Sequence, residues 1–318
     1  IRITVPCRAG VARHVEVEMG RTERAQLRGL SVGAEPPSTD DPMSRAVAAA
    51  AAADVAVVMV GTNAEWETEG EDRTTMDLPG AQDELVRRVA AANPRTVVVV
   101  NAGSPITMPW LDDVSAVLQI WFPGEDLGEA LADVLFGVAE PGGRLPITIP
   151  ARLEDTPAYP YYPGAHDHMA YGEGLLIGHR WYDAKGIEPV FAFGHGLGYT
   201  TWEIDAARVL GTARDGAVVD VEVRNTGTRA GSTVVQVYVE PEEAREGRPL
   251  RTLQGFTRVA LDPGASTTVR IDLPPSAFRR WDADRHAWVI DEGDRRVLAG
   301  WSSRDLRSCG ECPAGEPR

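Results

Sequence analysis

The run Asp54-Val55-Ala56-Val57-Val58-Met59-Val60-Gly61 is short, apolar and rich in β-branched residues, with a charge at one end and a glycine at the other. That pattern predicts a β-strand over Val55 to Val60, buried on both faces as in a parallel sheet. Upstream, Pro42 to Ala53 is alanine-rich and reads as a helix capped by Asp40 or Asp41. Downstream, Pro79-Gly80-Ala81-Gln82 opens a helical pattern that runs from Gln82 to Ala92 and stops at Asn93-Pro94. The segment between, Gly61 to Gly80, is therefore a loop at the carboxyl end of a parallel strand, where open α/β sheets place their ligands. It holds four glutamates, two aspartates, one tryptophan and one arginine. Such a loop supplies a carboxyl acid, a cation to orient it and an aromatic face, which are tools for sugar chemistry. Its composition alone is equally that of a solvated acidic loop, because charge runs usually face water.

The same rhythm continues. Thr96–Asn101 and Val114–Trp121 read as strands, Gly124–Phe136 as a helix closed by Gly137, and Ile147–Ile149 as a short edge strand after Pro141-Gly142-Gly143-Arg144-Leu145-Pro146. Alternating strands and helices predict an α/β fold with a mostly parallel sheet flanked by helices. From Pro150 to Trp202 the chain is rich in Pro, Gly, Tyr and His and shows little periodicity. Beyond it, alternating runs at Val218–Arg224, Thr233–Val239, Thr252–Val259, Thr267–Leu273, Ala287–Ile290 and Arg296–Trp301 predict an all-β sandwich, with Trp281 and Trp288 in its core. Residues 1 to 20 alternate like two short strands, and 21 to 41 read as a linker.

Composition narrows the function. The 318 residues carry a formal net charge of -15, with Lys185 the only lysine. That balance disfavours nucleic acid and an anionic membrane surface as partners. No apolar run reaches the ~20 residues of a membrane helix. No G-x-G-x-x-G follows a strand and no Walker sequence occurs, so no nucleotide cofactor is expected, nor any other. Cys309-Gly310-Glu311-Cys312 has C-x-x-C spacing but sits in a Gly/Pro tail without further metal ligands, and His166 and His168 have no third partner; no metal site is expected. His195, between glycines, reads as structural, and Trp110 and Trp121 as packing.

Glu67-Thr68-Glu69-Gly70-Glu71-Asp72-Arg73 with Leu78-Pro79-Gly80 resembles the second-domain signature of glycoside hydrolase family 3, the β-glucosidase family. Asn93-Pro94-Arg95-Thr96, Met108-Pro109-Trp110, Trp121-Phe122-Pro123-Gly124, Tyr171-Gly172-Glu173-Gly174 and Phe193-Gly194-His195-Gly196-Leu197-Gly198-Tyr199-Thr200 follow in the order that the family shows. Asn225-Thr226-Gly227, Gly255-Phe256 and Gly300-Trp301-Ser302-Ser303-Arg304-Asp305 are similar to its fibronectin type III-like domain. The resemblance implies an α/β sandwich domain over 43–165, a connector over 166–204, a fibronectin type III-like domain over 205–308 and a tail over 309–318. Residues 1–42 would be the trailing strands and linker of an upstream module, similar to a PA14-type insert.

Members of this family are retaining enzymes with two carboxylates. By position the resemblance makes Glu69 the acid/base, with Glu67 as reserve. Asp72 and Arg73 would hold the loop, and Trp66 would line the sugar site or cover the loop. The nucleophile belongs to a (β/α)8 barrel upstream, which is absent from this sequence. The expected role is thus the carboxyl-terminal portion of an exo-acting β-glucosidase, its partners a β-glucoside or oligosaccharide and the missing barrel, with homo-oligomerisation left open. A β-xylosidase or other exo-glycosidase of the family is the nearest alternative, and a non-catalytic sugar-binding or assembly module the alternative from another class.

Overall fold

Local signals in the sequence set where the first elements begin and end. The computed structural model describes residues 14, 16, 41–70, 72–164, 166, 168–242 and 246–316. The leading strands and linker expected over 1–41, and with them the PA14-like module, fall outside the described residues apart from 14, 16 and 41. Helix α1 (Pro42–Ala52) begins where Asp41 takes the Met43 N–H at 3.1 Å and the Ser44 hydroxyl, so Asp41 is the cap. Then come β1 (Ala56–Gly61), α2 (Gln82–Ala92), β2 (Thr96–Asn101), β3 (Ala116–Gln119) and α3 (Leu127–Leu135).

The three strands form a parallel sheet in the order β1-β2-β3, with Ala56 opposite Thr96 and Val97 opposite Ala116. Ala56, Val58 and Val60 of β1 and Val98 and Val100 of β2 share a core with Val86 and Val89 of α2. Asn93, buried at the end of α2, donates to the carbonyls of Ala50 and Ala53 at 3.0 and 2.9 Å and so locks α1 to α2. One expectation is corrected here. β1 is buried on one face only: Val57 and Met59 are 51% and 49% exposed, because no described element covers the outer face at that strand. The edge strand expected at Ile147–Ile149 reduces to a single bridge between Ile149 and Phe191.

The connector carries a helix that periodicity did not show, α4 (His179–Lys185), closed by Gly186 at φ 64°. The sandwich follows: β4 (Trp202–Thr212), β5 (Gly216–Asn225), β6 (Gly231–Pro241), β7 (Thr252–Leu261), β8 (Ser266–Leu273), β9 (Arg280–Asp282), β10 (Ala287–Val289), β11 (Arg295–Gly300) and β12 (Leu306–Cys312). One sheet has the order β4-β5-β8 and the other β12-β11-β6-β7, all antiparallel. Val219, Val221 and Val223 of β5 meet Val235 and Val237 of β6 and Val297 and Ala299 of β11 in a shared core, as aligned sheet packing requires.

Two further readings change. Trp281 and Trp288 are not core; they sit on the separate β9–β10 hairpin and are 40% and 64% exposed. The Cys309–Cys312 segment is no loose tail but strand β12, paired with β11. Both thiols are buried and free, and burial pushes each pKa to about 11. A thiol held protonated in this way is inert as a nucleophile or ligand.

Residues 45–318 make one unit, and the α/β part is bonded to the sandwich by buried polar groups. Arg144 donates to the Gly196 carbonyl at 2.6 Å and the Thr233 hydroxyl at 2.5 Å. Gln236, buried in β6, donates to the carbonyls of Gly194 and Trp301.

Candidate active-site loop

The loop between β1 and α2 is closed at its base by one side chain. Gln82, at the start of α2, accepts the Gly61 N–H at 2.7 Å and donates to the carbonyls of Gly61 and Pro79 at 2.9 and 3.1 Å. Gly61 itself lies so near β2 that a Cβ would run into the Asn101 carbonyl oxygen. Farther along, Met76 and Leu78 are buried, and Asp77 accepts the Thr107 hydroxyl at 2.7 Å. That bond and the Thr75 hydroxyl hold the Asp77 carboxyl below its usual pKa.

Within this frame the two candidate glutamates differ. Glu67 is half-buried; its Oε1 accepts the Thr62 hydroxyl and the Gly103 N–H, the latter at 3.1 Å. A Cβ on Gly103 would stand 2.7 Å from Glu67 Oε2 and 2.8 Å from the Phe122 ring, so only glycine fits there. Glu67 is thus a strut between the loop and the end of β2. Glu69 is exposed and has no hydrogen-bond or ion-pair partner among the described residues. Its carboxyl is free to meet a ligand beyond the carboxyl end of the sheet.

Asp72 accepts the hydroxyl of Tyr162, from the irregular stretch after Pro150, and the carboxylate raises the Tyr162 pKa. Arg73 does not bond Glu69; it donates to the Ser104 hydroxyl at 2.7 Å, while its Nε and Nη2 are buried without partners. Trp66 is half-buried, with its indole N–H unpaired. A cavity of about 690 Å³ lies on the Arg73 side, between Met76, Pro105, Ile147, Ile177 and Phe193, and neither Glu67 nor Glu69 lines it.

The structure adds one group that the sequence did not single out, Tyr162, and gives Trp121, read there as packing, a backbone role. Tyr162 is 90 residues from Asp72 along the chain, and no local pattern links them. Trp121, at the carboxyl end of β3, sits at φ 57°, a conformation that costs a bulky residue about 1–3 kcal/mol. Its carbonyl accepts the Asn101 side chain at 2.7 Å, which holds the turn and sets the half-exposed Phe122 against Gly103. Strand ends, the acidic loop and the segment carrying Tyr162 therefore converge on one rim. Trp110 is packing, fully buried with its N–H on Asp83 at 2.7 Å. His195 packs on Phe191 with ring centroids 5.2 Å apart, and burial lowers its pKa. His166 and His168 gather no further ligands; among the described residues no group of three or more His, Cys, Asp or Glu could hold a metal ion.

Known proteins share both halves of this architecture. The profile of the glycosyl hydrolase family 3 C-terminal domain matches residues 7–199, and that of the fibronectin type III-like domain matches 233–303. A beta-glucosidase of Rhizobium radiobacter is 42% identical over 311 residues, covering 94% of this chain and 38% of its own length. The crystal structure of a beta-glucosidase from Kluyveromyces marxianus in complex with glucose superposes with a TM-score of 0.84 at 40% identity, covering 89% of this chain and 34% of that one. A beta-glucosidase from Streptomyces venezuelae in complex with D-glucose gives 0.79 at 39% identity, covering 85% and 34%. The chain thus spans 38% of the first of these relatives and 34% of each of the other two.

Proposed function

Since the chain belongs to glycosyl hydrolase family 3, we propose that it is the carboxyl-terminal portion of a retaining, exo-acting β-glucosidase and carries that enzyme's acid/base residue, Glu69. One observation carries the choice of residue. Of the two glutamates in the Glu67-Thr68-Glu69 segment, Glu67 is tied to Gly103 and Thr62, while Glu69 is open at the strand-end rim. A proton donor has to reach a substrate oxygen, and a carboxylate already engaged by a backbone N–H and a hydroxyl is occupied and held in place.

In this reading a terminal β-D-glucosyl residue binds at the rim. Glu69, protonated, gives its proton to the departing glycosidic oxygen while a carboxylate from elsewhere in the whole enzyme attacks C1. Glu69 then takes a proton from the incoming water, which opens the glycosyl-enzyme and releases glucose. The two carboxyl groups of such a pair stand about 5–5.5 Å apart. Asp72 with Tyr162, and Arg73 with Ser104, are positioning contacts for the loop.

The test joins this chain to the amino-terminal part of the Rhizobium radiobacter relative and compares Glu69→Ala with Glu67→Ala. Glu69→Ala should slow hydrolysis of cellobiose, whose leaving group needs a proton, by about 10²–10⁴-fold. It should affect activated aryl glucosides far less, and azide should accelerate the deglycosylation step. That pattern in Glu67→Ala, with Glu69→Ala near wild type, would refute the assignment.

A further inference from the structure

The β9–β10 hairpin was expected to contribute two core tryptophans and instead displays them. Trp281 and Trp288 are directly opposed across the hairpin, so both indoles project from one face. Their ring centroids are 5.7 Å apart with planes at 71°, and His286 abuts Trp281 edge-on at 5.2 Å. Leaving two indoles in water is costly, and paired exposed aromatics mark a surface kept for a ligand. They open onto a cleft of about 500 Å³, within the ~300–1,000 Å³ range of small-molecule sites.

The cleft is rigidly built. Arg280 clamps Asp291 at 2.7 Å and Asp282 at 3.1 Å, fixing the first strand of the hairpin to the segment after its second. Arg295, 5% exposed, donates to the carbonyls of Gly293 and Asp291 at 3.0 and 3.1 Å and holds the loop that forms one wall. Five other lining side chains, Arg180, Arg248, Arg279, Glu242 and Glu292, have no hydrogen-bond or ion-pair partner among the described residues. With Arg280, Arg295 and Asp291 the lining carries five guanidiniums and three carboxylates, so the cleft offers many donors together with several acceptors.

We propose that this cleft is a second carbohydrate site, which takes a β-1,4-linked oligosaccharide on the Trp281–Trp288 corner. The chemistry of a pyranose fits both features. Its axial C–H faces are apolar and stack on the electron-rich indole face, and its equatorial hydroxyls are each donor and acceptor. A nucleic acid would be repelled by the unpaired carboxylates and by a chain of net charge -15, and a protein helix would demand an apolar groove without those carboxylates. The site lies mainly on the sandwich, with Leu175 and Arg180 of the connector in its wall, and includes none of Glu67, Glu69, Asp72 and Arg73. Its expected ligand class rests on the β-glucosidase reading; its role would be to hold a glucan chain near the enzyme.

The experiment titrates the 318-residue chain with cellohexaose, followed by calorimetry and by tryptophan fluorescence. Saturable binding is expected, with Trp288→Ala weakening it about tenfold or more and Trp288→Tyr retaining most of it. Both variants change an exposed residue, and circular dichroism verifies the fold. Overturning results are an absence of heat and fluorescence change in the folded chain, affinity unchanged in Trp288→Ala, or a dimer in solution that Trp288→Ala dissolves. Binding of xylohexaose in preference to cellohexaose would support the cleft and count against the glucoside reading. Binding of cellohexaose by a chain whose chimera hydrolyses no glucoside would likewise separate the two.

Discussion

Glu67 and Glu69 are two residues apart and chemically identical, yet their surroundings give them different work. By resemblance the sequence puts Glu69 first as the acid/base and Glu67 in reserve; the contact that supports the proposed order is made by Gly103, 36 residues beyond Glu67 and outside any local pattern. The same dependence on tertiary contact governs His179. Burial, first, and then the charges of Arg180, Arg251 and Arg304 lower its pKa from 6.5 to about 4. The sign follows from linkage. Below pH 6.5 the unfolded chain gains a proton that the folded chain refuses until about pH 4, so this contribution to stability is present above 6.5 and is lost as the pH falls to 4. The loss amounts to at most about 3 kcal/mol. Melting temperatures of wild type and His179→Gln between pH 8 and 4 should converge as the pH drops, if the variant keeps the packing against Phe193. Parallel curves would show that His179 does not titrate in this window.

At the scale of elements, the parallel sheet was legible because its signals are local. β2 and α2 have the bounds that periodicity predicts, since β-branched runs and an Asn-Pro stop act within a few residues. What escaped were pieces whose order comes from partners. α4 has only seven residues, β9 has three, and β12 is held by its pairing with β11 against a glycine-containing sequence. The Trp281–Trp288 pair was misread because an alternating hydrophobic pattern does not say whether anything packs above it. Close approach of β1 to β2 makes a prediction here. Gly61→Ala should destabilise the domain by about 1–3 kcal/mol, because the Asn101 carbonyl cannot yield without breaking the ladder. Gly128, in α3, has open space around it, and Gly128→Ala should stabilise by about 0.4–1 kcal/mol. Urea unfolding of the two variants should shift midpoints in opposite directions; equal shifts would refute the packing argument.

At the scale of the whole molecule, the strand ends, the acidic loop and the segment carrying Tyr162 make one open rim, and what that rim holds decides what the isolated chain should do. Retaining hydrolysis needs a nucleophile across the sugar from its acid. On this loop Glu67 is occupied by Gly103 and Thr62, Asp72 by Tyr162 and Asp77 by Thr107, so none of these three is poised for that place. Glu69 alone can donate or accept a proton, a role worth about 10²–10⁴-fold. That gain also requires the substrate to be held, and the open rim gives a sugar ring few walls, so positioning is lost as well. The 318-residue chain is therefore expected to show no measurable turnover of an aryl β-glucoside. The chimera carrying the amino-terminal part of the Rhizobium radiobacter beta-glucosidase should hydrolyse it. Assaying both with 4-nitrophenyl β-D-glucoside and trapping the chimera with a 2-deoxy-2-fluoroglucoside tests each half of the argument. The trapped glucosyl residue should map by peptide mass to the added segment. Turnover by the chain alone, or a label found within its own residues, would mean that the nucleophile lies in this chain after all.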